Sequence, residues 1–248
     1  MSEPRSPQKP GKCRLDQRLV DLGLASSRER AKALVMADRV LVADSPAKKP
    51  GDVIALDAPV RLRGGVPEDD YASRGALKLA PALDTFGVDV TGAVCIDVGA
   101  STGGFTDVLL RRGAARVYAV DVGYGQLDQR LSQDTRVVVL DRVNARQLGA
   151  EHVPELADLA VIDVSFISLT LVLGAVASRL RPGASLLAMV KPQFEVGKGR
   201  LGKGGVVRDE AVRQEAITRV TDFAREIGLE VAGLRDNDIR GPKGNLEC

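Results

Sequence analysis

The chain has 248 residues, 44% of them hydrophobic and 27% charged, with a formal net charge of +2. These values are ordinary for a globular protein with one large domain, or with one medium and one small domain. No apolar run approaches the ~18 residues that span a bilayer, and the start of the chain does not resemble a secretory signal. We therefore predict a cytoplasmic protein.

Cysteine and histidine usage argues against a disulfide framework and against a metal site. Cys13, Cys95 and Cys248 are odd in number and far apart in the sequence, which fits neither a set of disulfides nor a zinc knuckle. The single histidine, His152, has no second ligand at metal spacing. We predict no metal.

Residues 1–11 contain three prolines and no apolar run, which predicts a disordered arm. Residues 12–63 form a small module. Leucines at helical spacing predict a first helix that Gly23 ends, and Ser26 or Ser27 can cap a second helix. Two short apolar runs predict strands at Val40–Val42 and Val53–Leu56.

The first 63 residues carry an excess of five positive charges, with thirteen Lys or Arg against eight Asp or Glu. A cationic helical face can follow a phosphate backbone, whereas a solvated basic surface is the alternative, and composition alone does not decide between them. The candidate RNA-binding residues on or beside the two helices are Arg14, Arg18, Arg28, Lys32 and Arg39.

Residues 64–72 are rich in glycine, proline and acid and predict a linker to a second domain over 73–248. That domain begins its sheet with an apolar run, Val94–Val98, then a glycine-rich turn, a helix to Arg112 and a second strand, Arg116–Val120. This order of strand, glycine turn, helix and strand is typical of a nucleotide-binding α/β sheet.

The turn favours S-adenosylmethionine over a dinucleotide. Its glycines are spaced G-x-x-x-G-G, and Asp97 before it would repel a pyrophosphate but suit the ammonium of this methyl donor. Asp121 lies where a carboxylate can accept ribose hydroxyls, and Asp141 is a candidate partner for the adenine amino group. A glycine-rich turn with another ligand, or with none, is the alternative. The remaining predicted cofactor-binding residues are Gly99, Ser101, Thr102, Gly103, Gly104 and Phe105.

Further strands are predicted at 137–140, 159–162, 185–190 and 229–234, with helices over 169–180 and 208–227. Ligands bind at the carboxyl ends of strands in such sheets. Two lysines and two acids, Lys78, Lys191, Asp163 and Glu247, could meet at one such cleft. A ribose 2′-hydroxyl is a poor nucleophile, so methyl transfer needs a base or strong orientation, and a lysine beside another cation could supply the base.

Sequence motifs extend these interpretations. The run R-L-D-Q-R-L-V-D-L-G-L-A-S-S-R-E-R-A-K-A-L-V-M-A-D-R-V-L-V, followed by K-P-G-D-V-I, resembles the RNA-binding module of ribosomal protein S-four. From Lys12 to Glu247 the chain resembles the TlyA family, also called hemolysin A-type. The motifs that carry this likeness are D-V-G-A-S-T-G-G-F, Y-A-S-R-G-A-L-K-L, D-V-S-F-I-S, V-K-P-Q-F-E and G-P-K-G-N-L-E.

The resemblance implies a Rossmann-like S-adenosylmethionine-dependent methyltransferase sheet of the α/β class, with a small N-terminal α+β RNA-binding domain. It implies 2′-O-methylation of cytidine ribose in ribosomal RNA, with ribosomal RNA or ribosomal subunits as partners. The family's catalytic Lys-Asp-Lys-Glu tetrad, shared with FtsJ-like ribose methyltransferases, falls on Lys78, Asp163, Lys191 and Glu247.

Two alternatives and one departure accompany this prediction. The chain could be an RNA-binding protein with a degenerate methyltransferase fold; a pore-forming toxin, which the hemolysin name suggests, is disfavoured because no apolar membrane segment is present.

Family members continue past the glutamate with a hydrophobic strand, whereas this sequence stops one residue after Glu247. We therefore expect Glu247 to lie on a fraying end, and a form with the strand restored to be more active.

Overall fold

The computed structural model describes residues 11–25, 27–63, 71–202, 204–241 and 243–248. The predicted arm up to residue 10, the candidate cap Ser26 and linker residues 64–70 lie outside these ranges. The chain divides into two compact units, Met1–Asp70 and Tyr71–Cys248, here called the N-terminal unit and the C-terminal unit.

The N-terminal unit is a small α+β fold whose two helices enclose an apolar core. Leu15 and Leu19 of the first helix are fully buried, and Ser27 caps the second helix by accepting a hydrogen bond from Arg30 N at 3.1 Å. Gly23 follows the first helix with φ 67°, as a helix-ending glycine does. Its elements are β1 Lys12–Arg14, α1 Leu15–Asp21, α2 Arg28–Met36, β2 Val40–Val42, β3 Ser45–Pro46, β4 Val53–Ala55 and β5 Val60–Leu62.

The strands of this unit form an antiparallel β1–β4 pair and an antiparallel sheet in the order β3-β2-β5. Strands β1, β3 and β5 were not predicted from the sequence. Each has only two or three residues and is defined by its partner rather than by an apolar run of its own.

The C-terminal unit contains a five-stranded parallel sheet with helices on both faces, which confirms the predicted α/β Rossmann-like class. The strand order is β10-β9-β6-β7-β8. Strands β7 and β8 follow β6 on one side of it, and β9 and β10 are then added on the other side. Its elements are α3 Ala76–Phe86, β6 Val94–Val98, α4 Gly104–Arg111, β7 Arg116–Asp121, α5 Gln129–Ser132, β8 Val137–Asp141, β9 Ala157–Ile162, α6 Leu173–Ala177, β10 Leu180–Ala188, α7 Pro192–Glu195 and α8 Glu210–Glu226.

Alternate residues of β6 enter two separate cores, because successive side chains of a strand point to opposite faces. Ile96 and Val98 join the core that packs against α6 and α8. Cys95 joins the core that contains Leu79 of α3 and Leu109 of α4. Asp97 therefore lies on the side of the sheet that α3 and α4 cover.

Two predicted elements differ in the structure. Residues 229–234 are not a strand: they have no ladder partner, and Leu234 is 54% exposed. The helix predicted over 169–180 is a 3-10 turn at Leu169–Leu171 followed by the short α6, since Leu180 already pairs with Ala157 as the start of β10.

The turn after β6 lies directly against the main chain after β9. Gly99 has φ 85°, and a Cβ at this position would lie 2.7 Å from the carbonyl oxygen of Asp163. Carbon and oxygen atoms do not approach so closely without displacement of one of them. A glycine is thus required here by both backbone conformation and contact.

We expect Gly99→Ala to destabilise the C-terminal unit more than Gly228→Ala does. Gly228 has the same φ of 85°, but apart from its chain neighbours no atom of the described residues lies within 4 Å of the added carbon, so both variants share a conformational cost of roughly 1–2 kcal/mol. Overpacking against the Asp163 main chain should add about 1–3 kcal/mol for Gly99→Ala alone. Urea unfolding of both variants measures the difference; equal losses would contradict the contact.

Candidate active site

A cleft of about 420 Å³ opens at the carboxyl ends of the strands, where the sheet order reverses between β6 and β9. Ligands bind at this position in open α/β sheets. The residues just before α3, its residue Lys78, the turn after β6 and the residue after β9 form its walls, together with residues 239–241. The lining residues are Ser73, Arg74, Gly75, Lys78, Gly99, Ala100, Ser101, Thr102, Gly104, Phe105, Asp163, Ile239, Arg240 and Gly241.

Two lysines and two acids meet beside this cleft, and we call Lys78, Asp163, Lys191 and Glu247 the strand-end cluster. Lys78 Nζ donates to Glu247 Oε2 at 2.6 Å and lies 4.0 Å from Asp163 Oδ2. Lys191 Nζ lies 2.6 Å from Asp163 Oδ1, an ion pair without hydrogen-bond geometry. The structure thus brings together the four residues that the sequence singled out, and Asp163 stands between the two ammonium groups.

Local sequence explains how each lysine reaches the cluster. Leu79 and Leu83 anchor α3 in the core, so the neighbouring Lys78 is held at the cleft with its side chain largely buried. Pro192 begins α7, and the residue before a proline is restricted to extended backbone. Lys191 accordingly has φ −109° and ψ 98°, which fixes its side chain at the end of the strand region.

The prediction that Glu247 lies on a fraying end is wrong. Glu247 is 1% exposed, and the neighbouring Cys248 exchanges two backbone hydrogen bonds with Val190, at 2.6 and 3.0 Å. Asn237 N also donates to the Glu247 carbonyl at 2.9 Å. Main-chain hydrogen bonds of Glu247 and of Cys248 therefore hold the glutamate in place, in addition to the contacts of its side chain.

Three polar residues that were not predicted support the cluster. Ser165 accepts a hydrogen bond from Lys191 Nζ at 3.0 Å, and Gln193 donates to Glu247 Oε1 at 3.4 Å. The buried Glu195 accepts from Ser168 Oγ at 2.5 Å and from Leu169 N at 2.8 Å, which joins α7 to the loop after β9. The sequence could have indicated these residues, because each lies within four positions of Asp163 or Lys191.

The glycines of the turn lie against neighbouring helices. Gly103 has φ 95°, and a Cβ there would meet the Leu131 side chain at 2.3 Å. A Cβ at Gly104 would meet Ser73 Oγ at 2.2 Å and Ala76 N at 3.0 Å. Gly104 lines the cleft, whereas Gly103 is not among the lining residues and lies against Leu127 and Leu131.

Asp97, the predicted partner of the donor's ammonium, is not among the residues that line the cleft. It is 0% exposed and accepts a hydrogen bond from Thr106 Oγ1 of α4 at 2.6 Å. Its other oxygen, Oδ1, has no hydrogen-bond partner within the described part of the chain. Burial, with the negative charges of Asp163 and Asp121, raises the pKa of Asp97 to about 7, although the hydrogen bond from Thr106 acts to lower it.

The acids at the ends of β7 and β8 hold backbone amides. Asp121 accepts from Ser101 N at 2.8 Å and from Gly123 N at 2.7 Å, and Asp141 accepts from Gly125 N at 2.9 Å. Each carboxylate oxygen retains a second lone pair. Asp121 therefore fixes the turn after β6 and can still accept another hydrogen bond.

The predicted RNA-binding residues of the N-terminal unit differ in their surroundings. Arg14 and Arg28 both pair with the buried Asp16. Arg18 donates to the Leu56 carbonyl at 2.7 Å, and Arg39 donates to the Arg63 carbonyl at 2.7 Å. Lys32, the fifth predicted RNA-binding residue, is exposed.

Comparison with known proteins finds a family match for each of the two units. The FtsJ-like methyltransferase family matches residues 71–248, and the S4 domain matches residues 13–57. The chain is 46% identical over 236 residues to the Mycobacterium tuberculosis 16S/23S rRNA (cytidine-2′-O)-methyltransferase TlyA, covering 95% of this chain and 88% of that protein. It is 35% identical to hemolysin A of Brachyspira hyodysenteriae, covering 94% and 97% of the two chains.

A solved structure from Streptococcus thermophilus that carries a hemolysin name is also similar. Its TM-score is 0.70 at 42% identity, with 97% of this chain and 87% of that chain covered. Within the described ranges, no helix combines the length and the apolar character needed to cross a membrane, and no group of metal-ligating side chains could hold an ion. The family match and the relatives together establish that the chain belongs to the FtsJ-like methyltransferase family, with an S4 domain at its N-terminal end.

Proposed function

We propose that this methyltransferase uses S-adenosylmethionine to methylate the 2′-hydroxyl of a cytidine ribose in ribosomal RNA. The observation that carries the proposal is the strand-end cluster. Its two ammonium groups flank Asp163 at the wall of the cleft, beside the glycine turn after β6. The names of the M. tuberculosis TlyA and of a further TlyA from Campylobacter jejuni, 31% identical, describe the same reaction on ribosomal RNA.

The described residues fit S-adenosylmethionine, which supplies a methyl group on a positively charged sulfur. Asp97 Oδ1 is a buried acceptor with no hydrogen-bond partner in the described ranges, and the donor's ammonium would satisfy it. Asp121, with a free lone pair on each oxygen, would hold the ribose, and Asp141 the adenine amino group. Residues Gly99, Ser101, Thr102, Gly104 and Phe105 would lie against the donor in the cleft, and Gly103 would allow the turn its left-handed backbone conformation.

The cluster can orient the nucleophile and receive its proton. Forming the new carbon–oxygen bond would break the methyl–sulfur bond of the donor, whose sulfur leaves as a neutral thioether, and it requires loss of one proton from the 2′-hydroxyl. Lys191, once it has released its own ammonium proton to solvent, would accept this proton, while Lys78 holds the oxygen in line. Asp163 keeps both amines directed at one point, and Glu247 holds Lys78 at 2.6 Å. We assign these four residues as the catalytic set.

Substrate recognition is proposed for the N-terminal unit. This unit carries the S4 match and the candidate RNA-binding residues, and guanidinium groups bind phosphates well because their donors form a rigid fork. Ribosomal RNA or a ribosomal subunit is then the partner, and the cytoplasm is the place of action.

The proposal is tested by mapping 2′-O-methyl positions on ribosomal RNA from cells with and without the gene. We expect one or more cytidine positions to lose methylation in the deletion strain and to regain it when the gene is restored. Unchanged methylation at every cytidine would overturn the proposed function.

We expect Lys191→Ala to abolish methyl transfer and to leave RNA binding unchanged. The substitution removes the proposed proton acceptor but alters nothing in the N-terminal unit. Incorporation of labelled methyl groups into ribosomal subunits measures the first effect, and filter binding the second. Arg225→Ala, which removes an exposed cation from α8, serves as the control and should retain activity. Wild-type turnover of Lys191→Ala would refute the mechanism.

Donor affinity should depend on pH around neutrality. The pKa of Asp97, raised to about 7 by burial, means that the carboxyl is mostly protonated at pH 6 and mostly ionised at pH 8. The donor's ammonium favours the ionised form. Affinity for S-adenosylmethionine should therefore be roughly tenfold weaker at pH 6 than at pH 8.

Titration calorimetry at the two pH values measures this dependence. Asp97→Asn removes the titrating group, so its lower affinity should change little between them. A wild-type affinity that is the same at both pH values would show that Asp97 does not meet the ammonium.

A further inference from the structure

A buried carboxylate in the N-terminal unit holds two arginines that come from different elements, Arg14 at the end of β1 and Arg28 at the start of α2. Asp16 is 0% exposed, and Arg14 binds it with two hydrogen bonds, Nε to Oδ1 at 3.0 Å and Nη2 to Oδ2 at 2.9 Å. Arg28, twelve residues away on α2, donates to Oδ2 at 3.0 Å. The arginine side chains are 52% and 48% exposed, so the acid lies inside and the two guanidinium groups face solvent.

The hydrogen bonds of Asp16 leave it no capacity for a ligand. A carboxylate has about four acceptor sites. Oδ1 accepts from Arg14 and from Gln17 N at 2.9 Å, and Oδ2 accepts from both arginines. The arginines hold the pKa of Asp16 well below its usual range, so the acid is ionised at neutral pH. Asp16 can therefore affect a bound molecule only through Arg14 and Arg28.

The Arg14 guanidinium also lies close to a glycine, Gly51. A Cβ at Gly51 would lie 3.2 Å from Arg14 Nη2 and 3.5 Å from Nη1, so the guanidinium lies against the bare backbone of this turn. The turn is tied to the start of α1 by Leu15 N donating to the Asp52 carbonyl at 2.8 Å and Asp16 N to the Pro50 carbonyl at 2.9 Å. Arg14 is thus held between a carboxylate and a glycine.

We propose that Asp16 is a positioning residue that presets Arg14 and Arg28 as paired ligands for RNA phosphates. The inference rests on the proposed function, since it takes the N-terminal unit as the part that binds ribosomal RNA. Ordering two long side chains before binding removes an entropic cost from the binding step. Direct electrostatics acts in the opposite direction, because a negative charge so close to the phosphates weakens their attraction.

The two effects predict opposite results for Asp16→Asn. Removing the negative charge should tighten RNA binding if charge alone matters. If Asp16 acts by positioning, the variant should bind purified ribosomal subunits roughly tenfold more weakly than wild type. Asp21→Asn is the matched control, because it removes the same charge from the same helix and Asp21 bonds only to Gln17 Nε2 in the described contacts. The control should bind as tightly as wild type or more tightly.

A double-mutant comparison shows whether Asp16 works through the arginines. Arg14→Ala/Arg28→Ala should itself bind weakly, and adding Asp16→Asn should then have no further effect. An equal loss in both backgrounds would overturn the inference, as would wild-type or tighter binding by Asp16→Asn alone.

If Asp16→Asn does not fold, Gly51→Ala is a second variant that tests whether the position of Arg14 matters for RNA binding. The added methyl shifts the Arg14 guanidinium by a few tenths of an ångström but leaves the carboxylate in place, and we expect weaker binding with unchanged circular dichroism. Unchanged binding by a folded Gly51→Ala, with Asp16→Asn unfolded, would refute the positioning role. Failure of the wild-type protein to bind either subunit would instead refute the proposed function.

Discussion

The chain of contacts from Glu247 to Lys78, on to Asp163 and then to Lys191 connects parts of the sequence that are up to 169 residues apart. Removing four charged groups from water is costly unless each has an opposite charge close by. Here two cations and two anions alternate, so the cluster is neutral as a whole. Loss of one member would leave a largely buried charge without its partner, and the geometry of the site depends on all four.

The sheet topology makes this arrangement available. Reversal of strand order between β6 and β9 opens a cleft at the carboxyl ends, and Gly99 lets the turn after β6 lie directly against the main chain of Asp163. The start of α3 and the segment after β10 then approach from either side. The fold thus positions the reactive groups on rigid elements, while the turn between them has the small residues that a ligand can lie against.

Much of this organisation could be predicted from the sequence, because buried parallel strands are apolar runs and their ends carry the polar residues. Long-range pairing could not be predicted. The burial of Glu247 depends on Cys248 pairing with Val190, and residues 229–234 have a strand-like composition but no partner strand. Likewise, an acid on the inner face of a strand and one at its open end have the same local sequence, so the enclosure of Asp97 was missed.

The contact at Gly99 also affects how degenerate relatives can be recognised. Because a side chain there would collide with the backbone of the neighbouring strand end, this glycine would be retained for folding even in a protein that had lost its chemistry. The presence of this glycine in a homologous sequence therefore does not indicate whether that protein is an active methyltransferase. A lysine such as Lys191, whose partners are Asp163 and Ser165, is better suited to separate active enzymes from inactive scaffolds.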